Sequence, residues 1–147
     1  MEDAVGAIVT VLGSWTSTNT DNTKPYKIAA AYTEKFPDTR FGDYVLVYSA
    51  SHNERPASLG YTHIDYDDVV SVDIRTSYGG NDFVKGRAHL IKMRDEARRL
   101  VYASRTSLGG YRLAKIGHVQ DLSDKSTMLW RMVVDVMLRK VIDTVPA

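Results

Sequence analysis

Hydrophobic positions recur along this chain with two periods, and the points where the period changes divide it into elements. Behind Glu2 and Asp3, acids that suit the positive end of a helix dipole, Val5, Ile8, Val9 and Leu12 return at helical spacing. This predicts an amphipathic helix over residues 3–13. A loop over 14–24 follows, rich in Ser, Thr and Asn and closed by Pro25. It offers little apolar area to offset the entropy of ordering it, so it is expected to be mobile in an isolated subunit.

Two β-like runs come next, "YKIAAAYTE" (26–34) and "GDYVLVYSAS" (42–51), separated by the turn-forming "KFPDTRFG". The segment "HNERPASLGYTHIDYDD" (52–68) reads as a second polar loop. From Val69 to Thr76 the chain alternates: Val70, Val72 and Ile74 point one way, and Ser71, Asp73 and Arg75 the other. That is the pattern of a half-buried strand.

Gly79 and Gly80 break the strand, and Asn81 or Asp82 can cap the element that follows. Over 82–104 the pattern is helical, with Leu90, Met93, Ala97, Leu100 and Val101 as the apolar stripe. Lys92, Arg94, Asp95, Glu96, Arg98 and Arg99 surround it as a solvated face, and "SLGG" (107–110) ends it. "YRLAKIGHV" (111–119) alternates as a strand.

The segment 126–145 fits two periods. As a helix it sets Arg131, Asp135, Arg139 and Asp143 four residues apart; as a strand it places Met128, Trp130, Met132, Val134, Val136 and Leu138 on one apolar face. Its β-branched content favours the strand. The predicted order is α-β-β-β-α-β-β, an α+β domain over 1–147 with two helices packed on a mixed or antiparallel sheet.

Composition narrows the function. The length, 147 residues, fits one domain, and 19 basic against 18 acidic residues exert no global pull toward nucleic acid or membrane. There are no cysteines, which excludes disulfides, thiolate zinc sites and a cysteine nucleophile. The apolar run 4–12 follows acids rather than a basic region and is too short to span a bilayer, so neither a signal peptide nor a membrane segment is expected.

Asp73, two residues before Arg75, resembles a degenerate acid-x-base pair of a metal-dependent nuclease, with Asp43, Asp65, Asp67 or Asp68 as the second acid. Arginine does not release its proton in a protein, so it fails as the base, and a solvated strand face accounts for the same letters. "HIDYDD" (63–68) lacks the glycine and distal glutamate of a calcium loop. His52, His63, His89 and His118 share no ligand spacing. No catalytic set, cofactor site or metal site is therefore expected. Aromatic residues in predicted loops, Trp15 foremost, point instead to protein–protein contacts.

The order of the pieces carries a resemblance. "KPYKIAAAY", "GDYVLVYSAS", "SVDIRTS", "LIKMRDEARRLVYASR", "GGYRLAKI" and a closing "WRMVVDVMLRKV" together resemble the tail-terminator (tail-completion, or head–tail joining) proteins of long-tailed bacterial and archaeal viruses, over residues 25–141. In that family a "v.vdirt" strand precedes an arginine-rich helix and an "r...dv.l" strand closes the fold.

The resemblance implies a non-enzymatic virion protein, assembled in the host cytoplasm, that forms a ring, typically a hexamer. The ring caps the tail tube, joins it to the head through connector or adaptor proteins, and lets DNA through its lumen without specific binding. A different head-completion, connector or tail-tube subunit is the alternative. Under this reading Asp73, Arg75, Arg131, Asp135, Arg139 and Trp15 are candidate interface residues. Arg75→Ala or Arg131→Ala is then expected to spare the subunit's melt and abolish assembly.

Overall fold

The computed structural model describes residues 2–15, 25, 27–31, 43–56, 63–76, 82–124 and 130–143. The elements run α1 (Glu2–Leu12), β1 (Lys27–Ala30), β2 (Asp43–Pro56), β3 (His63–Thr76), α2 (Phe83–Ala103), β4 (Arg112–Asp121) and β5 (Trp130–Asp143). This is the α+β order that the sequence predicts. The strands form a five-stranded mixed sheet in the order β1-β2-β3-β5-β4, with β1 parallel to β2 and the other pairs antiparallel.

Both helices lie on the same face of that sheet. The core joins Ala4, Val5, Ile8 and Leu12 of α1 to Leu90, Met93, Ala97, Leu100 and Val101 of α2. Beneath them stand Val45 and Val47, Val70, Val72 and Ile74, and Met132, Val134, Val136 and Leu138, alternate residues of β2, β3 and β5. The ambiguous segment near the end of the chain is a strand because five alternate side chains, from Trp130 to Leu138, all enter this core.

Asp82 caps α2 as the sequence suggests, its carboxylate accepting from the Lys85 N–H at 3.2 Å. After α2 the chain reverses between Leu108 and Tyr111, which bridge across Gly109 (φ 60°) and Gly110 (φ 88°). Two successive positive φ angles favour the glycine pair there.

Three expectations are corrected. Most of the expected loop 52–68 is paired strand: β2 runs on to Pro56 and β3 begins at His63, so that Ser51–Val69 through Pro56–Ile64 extend one hairpin. Polar residues that read as loop are satisfied by partners across the sheet. Glu96, expected on the solvated face of α2, is 4 % exposed and tied to Arg99 at 2.5 Å.

Trp15, expected as a loop aromatic facing a partner, is 2 % exposed and belongs to the chain's own core. The expected mobile loop lies, over residues 16–24, outside the described residues. Among the described residues no helix is long and apolar enough to cross a membrane.

Candidate interface on the open face of the sheet

The face of the sheet turned away from the helices holds five of the six candidate residues. Register sets them in rows across β2, β3 and β5. Tyr44, Arg75 and Arg131 form one row, Leu46, Asp73 and Val133 the next, and Tyr48, Ser71 and Asp135 the third. Arg139 stands further along β5 opposite Asp67.

Asp73 is the centre of this face. Arg131 grips it with both arms of its guanidinium, Nε to Oδ1 at 3.0 Å and Nη2 to Oδ2 at 2.8 Å. Arg75 adds a third contact at 3.6 Å. A planar fork on a carboxylate is the strongest ion-pair geometry available to side chains. The bonds to Asp73, aided by the Tyr48 hydroxyl, raise the Arg131 pKa further above its already high value.

Two arginines directly opposite each other on neighbouring strands would repel, and the shared carboxylate relieves this. Leu46 and Val133 flank Asp73 in its row. They are 5 % and 8 % exposed yet stand outside the helix-side core.

The other candidate residues of this face also pair within the chain. Ser71 donates to Asp135 at 2.8 Å. Asp67 accepts from Arg139 at 3.0 Å and pairs with Arg55 at 2.9 Å. Thus Asp73, Arg75, Arg131, Asp135 and Arg139 lie on one face, as expected, and they find partners within the chain itself. Trp15 lies on the other side of the sheet.

The acids offered as companions to Asp73 do not converge on it. Asp43 and Asp68 share the parity of Thr76 and Val70 and therefore face the helices. Asp65 and Asp67 lie six or more residues up β3, roughly 20 Å away. Among the described residues no group of three or more His, Cys, Asp or Glu side chains is arranged to hold a metal ion.

Two acid–histidine pairs on the helix side, one buried and one partly buried, escaped the sequence reading. At one end of the sheet Asp43 accepts from Thr76 Oγ1 at 2.5 Å and meets His89 Nε2 at 2.8 Å. At the other, Asp68 contacts His52 Nδ1, whose Nε2 meets Glu54 at 3.1 Å. The bonds to Glu54 and then to Asp68 raise the His52 pKa. Burial, and next the adjoining Asp68 carboxylate, raise that of Tyr111. Lys140 sits 5.1 Å from the Tyr111 ring centre. Histidines and acids 16 or 46 residues apart leave no spacing signal, and only the register of β2 with β3 and the seating of α2 bring them together.

The chain matches no protein-family model and no curated protein.

Proposed function

We propose that this chain is a structural virion subunit of the tail-terminator kind, assembling into a ring that caps a tail tube and joins it to the head. The observation that carries the reading is the clasp of Asp73 by Arg131 on the sheet face turned away from α1 and α2. It occupies both oxygens of the carboxylate on which a nuclease reading depends. It also joins two of the segments that carry the family resemblance, β3 with "SVDIRT" and β5 with "WRMVVDVMLRKV", within the sheet.

A face of ions already paired within one subunit suits a structural role. Covering the Asp73 clasp strands no single charge, so an apolar or polar neighbour can pack on that part of the face at low electrostatic cost. Tyr44, Tyr48 and the half-buried Met137 supply contact area beside the arginines.

Solution mass together with electron microscopy tests the proposal. The expected result is a closed ring whose mass is a multiple of the 16.5 kDa chain. A monomer that cleaves DNA with magnesium, and loses this with Asp73→Asn, would replace it with the nuclease reading.

A further inference from the structure

Once Asp73, Arg131, Asp135 and Arg139 are paired inside one subunit, they do not say how subunits find one another. Two other features do. The first is a groove of about 450 Å³ between α1 and the turn after α2, lined by Asp3, Gly6, Ala7, Thr10 and Gly109 among others. Gly6 stands inside α1, where glycine weakens a helix relative to alanine. A Cβ added there would meet nothing within 4 Å, so packing within the chain supplies no reason for a glycine. Gly86 in α2 is the contrast: its Cβ would lie 2.1 Å from the Trp130 indole. After Asp3, moreover, α1 carries no charged residue, whereas a helix facing water normally carries several on its outer side.

The second feature is Val84, in the first turn of α2 and 75 % exposed, with the exposed cation Lys85 beside it. The groove begins beyond the far end of α2, whose 21 residues span roughly 30 Å. A subunit therefore cannot seat Val84 in its own groove.

We propose that Val84 of one copy seats in the α1 groove of the next, over Gly6, with Lys85 paired to Asp3 at the rim. This rests on the ring reading and names its contact. An apolar knob and a matching groove at different places on one chain make a heterologous junction, which closes into a ring when the rotation between copies allows. The absence of a side chain at Gly6 leaves room for the knob, and the charge on either side has the sign the other requires.

Sedimentation of the full chain across a concentration series tests this, with the melt of every variant recorded in parallel. Val84→Asp keeps the subunit folded, since an acid in the first turn suits the helix dipole. Gly6→Leu fills the groove in open space and improves the helix. Each is expected to weaken association at least about tenfold, the loss of roughly one well-packed side chain at each junction. Asp3→Lys and Lys85→Glu should each weaken it, and the two together should restore it.

A wild-type assembly left intact by Val84→Asp and Gly6→Leu overturns the knob and groove while sparing the ring reading. Loss of association without recovery in the charge swap overturns the Asp3–Lys85 pairing. A wild-type chain that stays monomeric throughout overturns both the contact and the ring.

Discussion

Between Val70 and Ile74 the two faces of β3 are both dry, and they reach that state by different physics. Toward the helices, Val70, Val72 and Ile74 are 0, 1 and 0 % exposed, covered by the side chains of α1 and α2. Toward the open side, Ser71 and Asp73 are 4 and 2 % exposed with neither α1 nor α2 above them. Arg131, Arg75 and Asp135 cover them instead, and Leu46 and Val133 close the row at either side.

One face is held by area removed from water, which is non-directional and tolerant of substitution by similar shapes. The other is held by directional charge pairs, where loss of one member strands its partner in a poorly solvated place. Alternation in a sequence therefore reports polarity, not exposure. A polar face can be buried by its own side chains.

The largest expected effect follows from that difference and revises the expectation that Arg131→Ala spares the melt. Asp73 keeps 3 % of its side-chain surface exposed, so removing Arg131 leaves a buried carboxylate with only the longer contact to Arg75. The folded chain itself should lose about 3 kcal/mol, the lower end of the range for breaking a buried pair, because Arg75 compensates in part. Denaturant unfolding reads this directly. The double change Asp73→Asn with Arg131→Met should recover most of the loss, since it removes both charges together. Equal losses in the single and double variants would mean that the pair acts through packing, and the contrast between the faces would collapse.

The covered face is probed at Gly86. Trp130 is 1 % exposed and stacked edge-on against Phe83 at 5.1 Å, so its ring has little freedom to retreat. Gly86→Ala drives a methyl into the indole and should cost roughly 1–3 kcal/mol by overpacking, despite the gain in helix propensity. An unchanged unfolding midpoint would show that α2 can lift from the sheet.

Gly6→Ala in α1 sharpens the same comparison with the opposite sign. With nothing within 4 Å of the new methyl, the chain at high dilution should gain up to about 1 kcal/mol. A loss of stability would mean that α1 packs more tightly than its open groove shows.

The helix-side face was the legible part of this molecule. Apolar periodicity located α1, α2 and the core side of β3 and β5, because burial by helices selects hydrophobic letters at fixed intervals. The hairpin beyond Ala50 was illegible, since "HNERP" and "HIDYDD" carry the letters of loops. These segments become strand only when Arg55 and Arg139 flank Asp67 and His52 reaches Asp68, pairings fixed by cross-strand register. A shift in that register between Ser49 and Ser51 further hides the alternation, reversing which residues of β2 face the helices. The candidate site was half legible: the face was readable from parity, its partners were not.

The smallest expected effect concerns His52, a place on the helix side where charge resembles that of the open face. Its ring lies between Asp68, whose side chain is fully buried, and Glu54, whose side chain is half in solvent, and it meets Tyr66 edge-on at 5.0 Å. Glu54 and Asp68 both favour the imidazolium, so the folded-state pKa lies above the unfolded value of about 6.5. A raised cationic pKa means that the folded state holds its proton more tightly than the unfolded chain. The stabilisation is therefore complete below about pH 6.5 and is lost as pH rises through the folded-state value. Solvent around Glu54 screens part of it, which places this effect below the other three. Unfolding midpoints measured from about pH 6 to 9 should fall more steeply for the wild type than for His52→Gln, the two curves drawing together at the alkaline end. Parallel curves would show that His52 bonds to Asp68 as a neutral ring, and the helix side of the sheet would then owe nothing to that charge.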